Sequence, residues 1–457
     1  MGHDPLEDAA ARLRAFARQR LRAPGLVVGL TGPGGWAHQF ALGVADAGSG
    51  RPLQTDALLP IASISKAMTA AALLRELQAG RVDLDAAVHD HLPWLPLPTP
   101  YGPIRLRHLL AHTGGIVAGL DASPSPMVEA LALGRTAPGW PPGQRYHYSN
   151  VAYGLLGLVL ERVAGCTYAQ AIQQHVLDPC GMTASEAVTT AEAQARAATG
   201  HLELADGTFV PAPWVPTTSG AGSTLCTVAD LGRFLRALVA GEPALLDPGT
   251  REAMLTPALE PGAGEAFGYG LGVEVDTAAG YRRVGHSGDC PGFHGHAHGC
   301  TETGVGVVVL CNGPWRRVGS PGDTWVLVDH GLALLRAAVL GLASPPDPPL
   351  PADDEPDDEA AAARRAAELP GGLAVLVGTY AAYNPWVPQV RVRAGRDGGG
   401  LVLVWPWGDV EPLTALADGA FAVGEDPASP ERVRFQAPVE GRPMQAVVSG
   451  WPFDRID

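Results

Sequence analysis

Lysine is nearly missing from this chain of 457 residues: among its 32 basic residues Lys66 is the only lysine, and all the others are arginine. Arginine replaces lysine readily wherever charge alone matters, so a surviving lysine marks a position that tolerates only an amine. Positive charge is scarce as a whole. A net charge of −15 argues against a nucleic-acid partner, because phosphate backbones require a clustered basic surface. No CxxC pair occurs. The six cysteines (Cys166, Cys180, Cys226, Cys290, Cys300, Cys311) are irregularly spaced, which argues against a disulfide scaffold and for reduced, mostly buried thiols. Long apolar runs are absent too: the most apolar late stretch, 325–343, carries Asp329, His330 and Arg336 and reads as a packed helix, not a membrane span. The opening residues MGHDPLEDAAARLRAFARQRLRAPG lack the apolar core of a secretory signal and have an amphipathic pattern. A cytoplasmic location is the resulting expectation.

What is present is core material: 46% of residues are apolar and 17% charged, over a length that suits two domains or one large domain with an appendage. After the opening helix, Gly25–Leu30 and Trp36–Val44 read as strands joined by the turn TGPGG. A helix begins at Ser63 with SISKAMTAAALLRELQAG and ends at Gly80. The middle third is helical and loop-rich, with helices at Leu106–His112, Val151–Ala164 and Val228–Val239, the last opened by Thr227 in the N-cap position. Strands return at Tyr269–Val275, Tyr281–His286, Gly292–Gly299 and Gly304–Leu310, before the helix at 325–343. Strands at both ends of a helical middle predict an α+β fold: an antiparallel sheet flanked by helices, with an inserted helical subdomain. That domain is expected to span 1–344. Residues 345–370 are a linker rich in proline, acid and alanine. The remainder, 371–457, carries six short strand-like runs between Gly, Pro and Asp turns (Leu373–Tyr380, Gln389–Arg393, Leu401–Trp405, Ala420–Gly424, Val433–Ala437, Gln445–Ser449), which suit a small antiparallel barrel or sandwich.

Three short patterns carry chemistry. Ser63 and Lys66 stand three apart at a helix start, so both side chains share one face. A serine hydroxyl needs a neighbouring base to act as a nucleophile, and the helix N-terminus adds N–H groups suited to an oxyanion. The bland alternative is an N-cap serine followed by a surface lysine. Tyr148-Ser149-Asn150 offers a phenol that can relay a proton and an amide that can hold catalytic groups and a substrate carbonyl. Its alternative is a loop tyrosine with Asn150 capping the next helix. His286-Ser287-Gly288 sits on a strand that ends against a turn, where glycine permits close backbone approach and the following N–H can point into a site. A plain strand-end histidine is the alternative there.

Taken in order, S-x-x-K, Y-x-N and H-S-G resemble the penicillin-recognising serine hydrolases: class C β-lactamases, related esterases, D-aminopeptidases and DD-peptidases. The stretches LRHLLAHTGGI (106–116), TLCTVADLGRFLRALV (224–239), FGYGLGVEV (267–275) and VGVVVLCNG (305–313) add to the resemblance, which covers roughly residues 8 to 340. The tail GTYAAYNPWVPQVRV (378–392) resembles a lipocalin-like C-terminal domain. The resemblance implies Ser63 as nucleophile, Lys66 as base in acylation and Tyr148 as proton relay to the leaving group. Asn150 then holds the network and the substrate amide. The oxyanion hole is formed by the backbone N–H groups of Ser63 and Asp289, with His286, Ser287 and Gly288 in support. No cofactor and no metal are implied.

His286 departs from the lysine usual at that position in the β-lactamases. A histidine near its ordinary pKa of about 6.5 is mostly neutral at pH 7, so the expectation is hydrolysis of a small ester, amide or peptide substrate through an acyl-enzyme, with weak or absent β-lactamase activity. Rival functions are a penicillin-binding-protein-type thioesterase that releases or cyclises nonribosomal peptides, and a penicillin-binding sensor that acylates without turnover. His294, His296 and His298 alternate along one strand near Cys290 and Cys300; ordinary strand patterning is preferred to a metal site there. Trp386, Trp405 and Trp407 read as barrel core in preference to a ligand pocket. No motif falls beyond residue 344, so the tail is expected to be separable from the chemistry.

Overall fold

Gly25–Thr31 (β1) and Gly306–Cys311 (β8) are buried along their whole length, as near-continuous apolar runs must be when a sheet is covered on both faces. They pair antiparallel, with Val28 opposite Val309, and β1 also pairs Ala37–Asp46 (β2). Arg51–Pro52 (β3), Gly268–Tyr269 (β4), Glu274–Asp276 (β5), Arg283–Cys290 (β6) and Phe293–Cys300 (β7) complete an eight-stranded sheet in the order β3-β2-β1-β8-β7-β6-β5-β4. One face is covered by helices Pro5–Arg20 (α1) and Trp325–Leu340 (α5), whose Leu13, Phe16 and Leu332 join Val28, Val307 and Val309 in a common core. On the other face, helix Val228–Ala240 (α4) approaches β1 at Gly29, where an added Cβ would lie 2.9 Å from the Val228 carbonyl oxygen. Thr227 caps α4 as expected, its hydroxyl accepting from the Asp230 N–H at 3.2 Å. The helical insertion between β3 and β4 includes Ser65–Gln78 (α2) and Asn150–Ala164 (α3).

The computed structural model describes all residues except 1–3, 120–124, 205–206, 242–243, 260–267, 278, 315–323, 350–363, 371, 385, 396–399 and 407–408. Trp407 and most of the expected linker lie outside the described residues. The chain forms two compact units: 1–86 with 153–353, and 87–152 with 354–457. Among the described residues no single helix is long and apolar enough to cross a membrane. All six cysteines are free thiols, and Cys226, Cys300 and Cys311 are buried.

Two strand expectations are corrected. Tyr269–Val275 is a hairpin, not one strand: β4 and β5 pair with Tyr269 opposite Glu274, because Gly272 at φ +86° turns the chain between them. The strand expected at Tyr281–His286 runs from Arg283 to Cys290, since pairing with β7 continues through the motif, with Ser287 opposite His296 and Gly288 opposite Gly295.

The C-terminal region is a closed eight-stranded antiparallel barrel with strands in sequence order: Gly378–Ala381, Gln389–Ala394, Leu401–Val404, Val410–Ala415, Phe421–Val423, Arg432–Val439, Arg442–Val448 and Trp451–Arg455. Closure pairs Tyr380 with Arg455. Tyr380, Val390, Leu403, Val433, Ala446 and Phe453 fill its core together with Trp405, and Trp386 packs against it. Leu373–Leu376, expected as strand, is a 3-10 turn, and two strands exceed the six expected from the sequence.

Candidate active site

Ser63 sits on a 3-10 turn, Ala62–Ile64, and α2 starts at Ser65, two residues later than expected. Ala62 holds φ at +46°, a region that residues with a Cβ seldom occupy, so the chain enters the turn through a strained residue. The result is selective exposure. From Leu58 to Leu74 every residue is buried except Ser63.

Lys66 is fully buried, and its Nζ donates to Ser63 Oγ at 2.8 Å and to the Ala221 carbonyl at 2.7 Å. The Tyr153 ring lies 5.7 Å from the same nitrogen, near enough for a cation–π contact. Segment 220–224 is an element that the sequence reading missed. Its backbone is tied to the Ala62–Ile64 turn and α2 by Thr69 Oγ1 donating to Gly220 O (2.8 Å), Thr224 N donating to Ser65 Oγ (3.1 Å) and Ile61 N donating to Thr224 O (3.0 Å).

Strand β6 runs beside this turn. An added Cβ on Gly288 would lie 2.2 Å from the Ile61 carbonyl oxygen, so only glycine lets the strand approach this closely. Asp289 follows directly, its carboxylate hydrogen-bonded to His294 Nδ1.

His286 is buried, with Nδ1 facing the Ser287 carbonyl at 2.6 Å and Nε2 facing the Tyr269 hydroxyl at 2.8 Å. A carbonyl only accepts, so Nδ1 carries a proton, while the Tyr269 hydroxyl can serve Nε2 as donor or acceptor; it is burial that favours the neutral ring, with Nε2 accepting. Burial pushes the His286 pKa down to about 4, and the charge of Lys66 works the same way, against the opposing pull of Glu274. Glu274, which the sequence reading passed over, accepts from Ser287 Oγ at 3.0 Å and from His298 Nε2 at 3.1 Å. Burial opposes its charge, yet the His298 hydrogen bond, the neighbouring histidines and Ser287 hold it at about 2. The hairpin of β4 and β5 thus delivers Tyr269 and Glu274 as a clamp on the H-S-G motif.

His294, His296 and His298 are all buried, with His294 Nε2 and His296 Nε2 3.1 Å apart and Trp325 against His296 and His298. Among the described residues no group of three or more His, Cys, Asp or Glu side chains is placed to hold a metal ion.

Tyr148 and Asn150 belong to the second unit. Tyr148 is half-buried, its ring tilted at 40° against His112 with centroids 4.4 Å apart. His112, on a residue with φ +55°, also accepts from Ser149 N through Nδ1 (3.0 Å), while its carbonyl accepts from His147 N (2.7 Å). Ser149, not Asn150, caps α3: its Oγ accepts from Ala152 N at 3.0 Å and donates to Val117 O at 2.7 Å. Asn150 is the first helical residue, and its N–H donates to Ala118 O at 2.7 Å. The structure therefore joins Ser63, Lys66, His286, Ser287, Gly288 and Asp289 in one unit and builds the Tyr148–Asn150 loop in the other. His112 and Glu274 lay within stretches quoted for their resemblance, but their partners are remote in sequence.

The profile of the Beta-lactamase family matches residues 13–330. A D-aminopeptidase from Cereibacter sphaeroides is 28% identical over 326 residues, covering 67% of this chain and 60% of its own length. Esterase EstB from Burkholderia gladioli is 29% identical over 365 residues, covering 68% of this chain and 92% of its own length. Among solved structures, the octameric penicillin-binding protein homologue from Pyrococcus abyssi has the same fold, with a TM-score of 0.65 at 23% identity over 97% of this chain and 99% of that one. This chain thus spans about 60% of the D-aminopeptidase that it matches.

Proposed function

The chain belongs to the Beta-lactamase family, and from that premise we propose that it hydrolyses an ester or amide through an acyl-enzyme on Ser63. The observation that carries the reading is the pair itself: a serine that alone between Leu58 and Leu74 is not buried, 2.8 Å from the chain's only lysine. Once its ammonium has released a proton to solvent, Lys66 takes the Ser63 Oγ proton as Oγ attacks the carbonyl carbon. The carbonyl oxygen becomes an oxyanion held by the N–H groups of Ser63 and Asp289. The bond to the leaving group breaks as Tyr148 delivers a proton to it and regains one from Lys66. Water then attacks the acyl carbonyl carbon, giving a proton to Lys66, and the bond to Ser63 Oγ breaks as that proton returns to Oγ. Asn150 orients the substrate, and Ser287, fixed by Glu274, lines the strand beside it.

His286, whose pKa burial pushes down to about 4, supplies no fixed positive charge for a substrate carboxylate at neutral pH. This supports an esterase or amidase over a β-lactamase, in line with the esterase and aminopeptidase among the relatives. The barrel is read as a lipocalin-like domain. Incubation with short acyl esters, D-amino acid amides, peptidyl thioesters and benzylpenicillin, followed by intact-mass analysis, tests the reading. Ester or amide turnover with a Ser63 adduct is expected, and is lost in Ser63→Ala. Efficient penicillin turnover defeats the specificity argument. A stable adduct with no product defeats hydrolysis in favour of a sensor.

A further inference from the structure

We propose that the C-terminal barrel is part of the catalytic apparatus, because its buried carboxylate Glu431 holds the Tyr148–Asn150 loop in place; this rests on the relay role read for Tyr148 above. Glu431 stands just before the strand Arg432–Val439 and is only 8% exposed. Three donors converge on it. Oε1 accepts from the backbone N–H of Ala118 and from His147 Nε2 at 3.0 Å, and Oε2 accepts from Ser449 Oγ. Burial opposes its charge, but His147, Ser449 and the Ala118 N–H together hold its carboxyl below the ordinary value.

The two outside donors bracket the motif. His147 immediately precedes Tyr148. Ala118, gripped through its N–H, offers its carbonyl to the N–H of Asn150 at 2.7 Å. One carboxylate, 283 residues later in the chain than Tyr148, therefore fixes the strut on each side of Tyr-Ser-Asn. Residues 145–149 form neither strand nor helix, and backbone hydrogen bonds from His147 N to His112 O and from Asn150 N to Ala118 O tie the loop to the 112–118 segment. The neighbourhood is built for close approach: an added Cβ on Gly139 would lie 2.3 Å from the Ala428 carbonyl oxygen, and Arg145 pairs with Asp426. Burying a carboxylate is costly unless its partners are in place, and removing it strands three donors. A passive appendage has no need of such a group. Glu431 is thus a positioning residue for Tyr148, and the expectation that the tail is separable from the chemistry is replaced by this proposal.

The test uses the full chain with Glu431→Ala, Glu431→Gln, Tyr148→Phe and the double variant Tyr148→Phe/Glu431→Ala. Acylation is followed in single turnover on an alkyl ester, whose leaving group needs a proton, and on a p-nitrophenyl ester, whose leaving group does not. Tyr148→Phe is expected to slow the alkyl ester by about 10²-fold or more. Glu431→Ala is expected to slow it by about tenfold to 10²-fold, the scale of a small misplacement, with a much smaller loss on the p-nitrophenyl ester. Glu431→Gln, which keeps an acceptor for Ala118 and His147, recovers most of the rate. In the Tyr148→Phe background Glu431→Ala adds little, because the group it positions is gone. Equal losses on both esters, or an undiminished loss in the Tyr148→Phe background, reduce Glu431 to a structural contact and overturn the proposal. A damaged Tyr148→Phe beside an intact Glu431→Ala overturns this inference alone, whereas a harmless Tyr148→Phe overturns the relay role and the inference together. If Glu431→Ala does not fold, His147→Phe removes one tether and is expected to show the same leaving-group signature at smaller size; equal slowing of both esters there is the contrary result.

Discussion

Ser63 with Lys66 and Tyr148 with Asn150 are both pairs of side chains a few residues apart, yet they are held by opposite means. The first pair is local: one helical turn sets its 2.8 Å contact, and the surroundings are buried backbone. The second is assembled at a distance, by the His112 ring, the Ala118 peptide and a carboxylate from the barrel. A locally built site is expected to fail through its chemistry when a side chain changes. A site built from remote struts is expected to fail through its geometry.

The largest expected effect is at the local pair. Lys66→Arg keeps the charge and adds donors, but a guanidinium cannot give up its proton near neutrality. Single-turnover acylation is expected to fall by at least about 10²-fold, with thermal melting showing a folded protein. A folded variant within about tenfold of the wild type breaks the comparison, since Lys66 would then act as an anchor and not a base. Next is the approach of β6 to the nucleophile turn. Gly288→Ala puts a methyl against the Ile61 carbonyl and is expected to cost about 1–3 kcal/mol in denaturant unfolding, with acylation slowed as the turn shifts. An unchanged midpoint and rate would show that the turn yields freely, and the rigid description of this unit would be wrong.

The smallest effect is electrostatic. His286 titrates at about 4 when folded and near 6.5 when unfolded. Between those values the unfolded chain binds a proton that the native one does not, so stability is full above about pH 6.5 and is lost as pH falls toward 4. Glu274, held at about 2 against an ordinary 4.5, has the same sign and extends the loss below pH 4.5. Melting temperature should thus fall steadily on acidification. His286→Gln is expected to make the upper part of that slope shallower, the rest coming from His296, which burial also holds well below its ordinary value. An unchanged slope would mean that His286 is already protonated in the folded protein.

Features carried by short-range rules were legible in the sequence. The Ser63–Lys66 spacing, the Thr227 cap and the buried runs of β1 and β8 follow from helical period, capping chemistry and apolar patterning, and the α+β arrangement follows from their order. What escaped was decided by pairing across distance. The Tyr269–Val275 hairpin looked like one strand because its apolar alternation continues through Gly272. The barrel strands Val410–Ala415 and Trp451–Arg455 contain Pro412 and Pro452, which remove a ladder donor and argue against a strand until closure supplies neighbours. Glu274, His112 and Glu431 carry no local signature of their roles. A glutamate is unremarked in a sequence until the donors that converge on it are known.

The solitary lysine has a practical consequence. A protease specific for lysine has one peptide bond to cut, after Lys66, and that residue is fully buried in the folded chain. Cleavage there requires α2 to open, and one cut separates residues 1–66 from the rest. Under conditions where opening is fast compared with cutting, the rate of appearance of that single fragment reads the population of molecules in which α2 has come undone. The residue assigned the chemistry of the site is also a built-in gauge of how firmly the site is closed.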